Sequence, residues 1–174
     1  MATNSTSKII TPIGVLSFPN LASPDKKGRY GAAIVFPPGT DLSALNALID
    51  EAMETIVPAG VNKKAVKRPL ERDGSEKEQY GGPYVEGARF FEAKTKFPPG
   101  IVDGKRSPIL DVQEALYPGA LVRFQVHCYF YDVDGSKGIA FGLDNIQKVG
   151  EGERLDSFQP PEDVFDEVST DDLI

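Results

Sequence analysis

At 174 residues, 40% of them hydrophobic, the chain has room for one domain with a sizeable core, while its single cysteine, Cys128, excludes an internal disulfide and a cysteine-built zinc site. The formal charge of −7 is not spread evenly: 156–174 holds seven acids and no Lys or Arg, leaving nineteen acidic and nineteen basic residues in 1–155. No apolar run approaches the ~18 residues of a membrane span, and the polar start Met1–Ser7 lacks a signal-peptide pattern, so a soluble, cytoplasmic protein without membrane contact is expected.

Ile9–Phe18 is apolar and β-branched but broken by Pro12 and Gly14, which predicts an edge strand. Pro19–Gly28 reads as a loop, and Arg29–Phe36 as a strand ended by Pro37-Pro38-Gly39. Thr40 or Asp41 can cap a helix in which Leu42, Leu45, Leu48, Ile49, Ala52, Met53 and Ile56 recur at helical spacing through Val57, before Pro58 stops it. Asp50, Glu51 and Glu54 mark its polar face. Ala59–Gly87 is polar, charged and rich in Gly, and reads as a long, weakly structured insertion. It carries the densest basic cluster (Lys63, Lys64, Lys67, Arg68, Arg72), then Tyr80 and Tyr84 around Gly81-Gly82-Pro83.

Ala88–Phe97 is expected to be a strand with Phe91, Ala93, Thr95 and Phe97 toward the core and Phe90, Glu92, Lys94 and Lys96 outward. Pro98-Pro99-Gly100 breaks it, and Val102–Lys105 reads as a hairpin-like turn. Ala120–Tyr131 and Lys137–Val149 flank Asp132–Ser136, whose Gly135 can supply the positive φ of a hairpin. Short strands around one helix predict a mainly β, OB-fold-like antiparallel barrel over 1–155. The acidic 156–174, with Pro160-Pro161 and scattered apolar residues, reads as a flexible tail. Such a polyanionic arm either mimics nucleic acid before a basic groove or partner, or merely solvates the protein.

Leu121–Tyr131 is the most informative ordered element. Alternation puts Val122, Phe124, Val126, Cys128 and Phe130 on a core face and Arg123, Gln125, His127, Tyr129 and Tyr131 on the other. A row of cation, amide, imidazole and two phenols suits stacking on nucleobases beside phosphate contacts, unless neighbouring elements roof the rings. Lys94 and Lys96 would extend a basic track, and Lys63, Lys64, Lys67 and Arg68 would form a phosphate-binding arm or a solvated loop. Tyr80 and Tyr84 would stack on bases or anchor their loop. Catalytic signatures are missing. His127 is the sole histidine, Asp132-Val133-Asp134-Gly135 lacks the closing Glu of a calcium loop, and no phosphate-binding glycine pattern occurs, so neither an enzyme nor a cofactor or metal is expected.

Several segments together resemble the tailed-phage single-stranded DNA-binding proteins, a family with an OB fold and an acidic C-terminus. They are Gly28–Phe36 with the following helix, Pro69–Gly74, Gly100–Asp103, Tyr117-Pro118-Gly119 and, most specific, Lys137–Lys148 with its Gly-Ile-Ala-x-Gly-Leu-x-Asn-Ile-Gln-Lys string. The resemblance implies coating of single strands without sequence preference in replication and recombination within the infected cell. It also implies that a tail carrying Asp163, Phe165, Asp166, Glu167, Asp171, Asp172, Leu173 and Ile174 contacts replication proteins such as a polymerase or helicase-primase. A homodimer is left open. The tail departs from proteins of this kind by ending in Leu173-Ile174 rather than in an aromatic residue. The rival reading is a virion or scaffold assembly protein that uses its aromatic strand face as a protein interface.

Overall fold

The computed structural model describes residues 5–155 and 165–168. Its strands are β1 (Ile9–Ile10), β2 (Gly14–Asn20), β3 (Tyr30–Phe36), β4 (Arg89–Thr95), β5 (Gly100–Val102), β6 (Leu121–Val133) and β7 (Ser136–Gly150), with helices α1 (Ser43–Thr55) and α2 (Val112–Ala115). They form one sheet in the order β1-β6-β2-β3-β4-β7-β5, and β6 pairs with β7 as well. That extra ladder closes β2, β3, β4, β7 and β6 into a five-stranded OB-type barrel. Within the ring only β4 and β7 run parallel.

Local chemistry accounts for most elements. Pro12 and Gly14 split the first expected strand in two: β1 is an edge on β6, whereas β2 pairs with both β3 and β6. Asp41 accepts the Ser43 amide at the start of α1, and the helix ends at Thr55. Its apolar face, Leu45, Leu48, Ile49 and Ala52, packs into the core shared with β6 and β7. Asp134 and Gly135 form a two-residue turn with φ of 51° and 85°. That mirror-image geometry matches the twist of the β6–β7 hairpin. Inside the barrel Phe124 and Phe141 are fully buried, and truncating such a ring to Ala costs about 3–5 kcal/mol.

Two expectations are corrected. The insertion 59–87 is ordered. Lys67 exchanges backbone hydrogen bonds with Lys137 and Ile139 on β7 at 3.0 and 2.9 Å, while Val66, Leu70 and Tyr84 are buried. Asp73 accepts the amides of Ser75 and Gly87, tying two turns of the loop together. Phe97 is not core: β4 ends at Thr95, before the Pro98-Pro99 break, and the ring is 76% exposed. β5 and α2 have no counterpart in the sequence reading. Of the tail, 165–168 is exposed and has no regular structure, and the other tail positions lie outside the described residues.

Candidate nucleic-acid interface

The outer surface of the barrel carries a row that crosses five strands. Asn20 of β2 pairs with Gly31 of β3, Gly31 with Lys94 of β4, Lys94 with Gly142 of β7, and Gly142 with His127 of β6. Four strand-to-strand steps of ~4.8 Å make this row about 19 Å long. On β7, Gly138, Ala140 and Gly142 sit opposite Tyr131, Tyr129 and His127. Added β-carbons at Gly138 and Gly142 would collide with the Tyr131 and His127 rings, and one at Gly31 would meet Lys94 Cγ at 2.9 Å. The Tyr131 and His127 rings therefore lean over Gly138 and Gly142, and Tyr129 stands opposite Ala140 between them. The alternating Gly-x-Ala-x-Gly of 138–142 exists to seat them, and its two-residue period is the sequence signal for this arrangement.

The β6 face alternates as expected. Val122, Phe124, Val126 and Cys128 are fully buried, and burial pushes the Cys128 thiol up to about 12. Tyr129 is half-buried, which also raises its phenol. The outward polar groups are held by β7. Arg123 Nε donates to Gln147 Oε1 at 2.6 Å, Asn145 Nδ2 donates to Gln125 Oε1 at 2.8 Å, and His127 Nδ1 lies 2.8 Å from Asp144 Oδ2. A register shift between Gln125 and Val126 makes Asp144 an extra residue on β7, and the bulge re-aims its carboxylate at His127 and Lys8. Arg123 and Gln125 line a separate hollow of about 290 Å³ with Ile10, Val102 and Arg106. They share a face with the rings but lie beyond them along the strand.

The cations divide into two groups. Lys63 pairs with Glu54 at 3.3 Å, and Arg68 with Asp50 at 2.7 Å and Glu71 at 3.5 Å. The acids on the helix's polar face thus dock the basic cluster onto α1. Lys67 and Arg68 nevertheless border a groove of about 450 Å³ shared with Tyr131, Glu92 and Ala140; Lys63 and Lys64 do not. Lys94 sits in the five-strand row, and Lys96 is exposed just beyond β4. Arg29, which sequence reasoning passed over, stands at the start of β3 with its Nε buried and without a hydrogen-bond partner. Its Nη2 is 3.6 Å from Asp25.

Tyr84 is 2% exposed, and its hydroxyl donates to Ser17 Oγ at 2.8 Å. It anchors the insertion over β2 and β3, so its ring does not present a stacking face. Tyr80 is 53% exposed and meets Phe18 edge to face with centroids 5.0 Å apart. Phe18, Tyr30, Gly31, Glu92 and Lys94 border a small groove of about 120 Å³. Leu155, where the described barrel gives way to the tail, hydrogen-bonds Pro118 and brings its Cδ2 within 2.5 Å of where a β-carbon at Gly82 would stand. Leu155 thus stands beside the Tyr80 loop. Phe165, Asp166 and Glu167 are exposed, while Asp163, Asp171, Asp172, Leu173 and Ile174 lie outside the described residues. Among the described residues no three His, Cys, Asp or Glu side chains gather as a metal site, and no helix is long and apolar enough to cross a membrane.

The family model described as the ssDNA-binding protein of Enterobacter phage Enc34 matches residues 7–174. The single-stranded DNA-binding protein from bacteriophage Enc34 superimposes with a TM-score of 0.68 at 18% identity, over 94% of each chain. The structure of that protein in complex with ssDNA gives 0.67 at 19% identity, over 87% of this chain and 93% of that one. Gp2.5, a single-stranded DNA-binding protein encoded by bacteriophage T7, gives 0.57 at 15% identity, over 94% and 96% of the two chains. No curated protein sequence matches the chain.

Proposed function

Because the chain belongs to the family of the Enc34 phage single-stranded DNA-binding protein, we propose that it coats single-stranded DNA without sequence preference during phage replication and recombination in the host cytoplasm. The observation that carries this reading is the β6 ring row over the small residues of β7, joined across the sheet to Lys94. His127, Tyr129 and Tyr131 offer ring surfaces to unpaired bases, and each stacked base contributes about 1–3 kcal/mol whatever its identity. Lys94, Lys96, Lys67 and Arg68 lie where phosphates would pass. A duplex hides its base faces from such a surface. A relative of the same fold has been solved with ssDNA bound, which supports the assignment.

The acidic tail competes with DNA for this surface and, once displaced, recruits a basic replication protein such as a polymerase or helicase-primase. Its departure at Leu155, beside Gly82 and hence near Tyr80, supports that role. Fluorescence anisotropy of labelled oligo-dT and of a matched duplex, each at two salt concentrations, tests the function. Single strands should bind far more tightly, with affinity falling as salt rises because bound cations release counterions. Equal affinity for duplex, or binding unmoved by salt, overturns the reading. Stable oligomers with no salt-sensitive DNA binding would favour an assembly protein.

A further inference from the structure

Phe18 occupies a place that local backbone geometry assigns to glycine. Its φ is +46°, a region costly for a bulky side chain. Pro19 follows, and a residue before proline is ordinarily held extended. The irregularity between Ser17 and Asn20 in the β2–β3 register turns the ring out of the sheet. The ring remains 44% exposed, with the buried Tyr84 ring 6.4 Å away on one side. It meets Tyr80 edge to face, and Lys77 Nζ lies 5.1 Å from its centroid. The small groove beside it is floored by Gly31 and bordered by Lys94, the same lysine that sits midway along the row leading to His127. Strained conformations of this kind cluster at active sites and ligand clamps.

We propose that Phe18, walled by Tyr80, is a second stacking subsite that takes an unpaired nucleobase of the strand held at the β6 rings. This rests on the single-stranded DNA reading and extends it across the barrel. The strand runs transverse to the β-strands, its phosphates passing Lys94, and a base at the far end lies on Phe18.

The chain has no tryptophan, so Phe18→Trp installs a single reporter in the full-length protein without changing the class of side chain. Phe18→Gly removes the ring while supplying the residue that φ of +46° favours, so the fold survives. Oligo-dT should quench the Phe18→Trp emission in step with the anisotropy of the labelled DNA. Phe18→Gly should weaken oligo-dT binding at least about five-fold, the loss of one modest base stack, with no fall in Tm. Unchanged emission at saturation, or parental affinity in Phe18→Gly, overturns the subsite and leaves the DNA-binding reading standing. A lower Tm at parental affinity also overturns it, making Phe18 a structural prop. No anisotropy change with the parent protein overturns the DNA-binding reading, and the subsite with it.

Discussion

The His127 imidazole occupies the space that a β-carbon on Gly142 would need, and the two residues are direct cross-strand partners. Tyr131 has the same relation to Gly138. The positions of these rings therefore depend on what the facing strand lacks.

Gly138→Val should dislodge Tyr131 from its seat and weaken oligo-dT binding by about as much as Tyr131→Ala, on the order of 1–3 kcal/mol. The double variant should be little worse than either single one, because both changes remove one interaction. Titration of the four proteins by anisotropy measures the cycle. Additive losses would separate the glycine from the ring.

Lys67→Gln with Arg68→Gln should flatten the salt dependence of binding, because both border the groove beside Tyr131. Lys63→Gln with Lys64→Gln should leave the slope nearly intact, since neither lines that groove. Affinity measured across a salt series distinguishes the pairs. A fall in slope for the second pair would show that the α1-docked cluster also meets phosphate.

Removing Glu162–Ile174 should tighten oligo-dT binding, most at low salt. A tethered polyanion has a high local concentration at the groove, and at 0.15 M salt, with a Debye length of about 8 Å, its advantage shrinks. Isotherms of full-length and truncated protein over a salt series provide the test. Identical affinities at every salt would leave the tail as a docking or solvating arm.

Acid should loosen the insertion. The Asp73 carboxylate is held below its ordinary 3.8 by the Ser75 hydroxyl and then by the amides of Ser75 and Gly87. A folded value below the unfolded one gives a contribution that is complete above the unfolded value and lost as pH falls through the folded one. Asp25, held low by the Arg29 amide, and Asp41, held low by Ser43, act in the same sense. Tm should be steady from neutrality to about pH 5 and fall below about pH 4. Asp73→Asn should lower the neutral Tm and reduce the acid-induced loss. Hydrogen exchange of the Gly87 amide, followed against pH, would localise the change.

The barrel and its hairpin were legible because they rest on local signals. Alternation sorted Val122–Phe130 from Arg123–Tyr131, and Asp134-Gly135 announced a turn that proved to be two residues long. The order of the insertion is not legible locally because it comes from partners distant in sequence: Lys67 with Lys137 and Ile139, Tyr84 with Ser17, Asp73 with Gly87. Charge composition could not reveal that Asp50 and Glu54 hold Arg68 and Lys63. Alternation extended past Thr95 would put Phe97 in the core, but β4 ends there. Phe18 was hidden inside an apolar run, and only its positive φ and exposure distinguish it from a buried strand residue.

The short N-terminal segment has a consequence for self-association. Thr6 and Thr11 satisfy backbone groups of Cys128 and Phe124 through both their amides and their hydroxyls, while Ile9 and Ile10 pair with Val126 and Gln125. These contacts seal the stretch of β6 that β2 leaves uncovered. Trimming the chain through Thr11 would bare that ladder and create a sticky border.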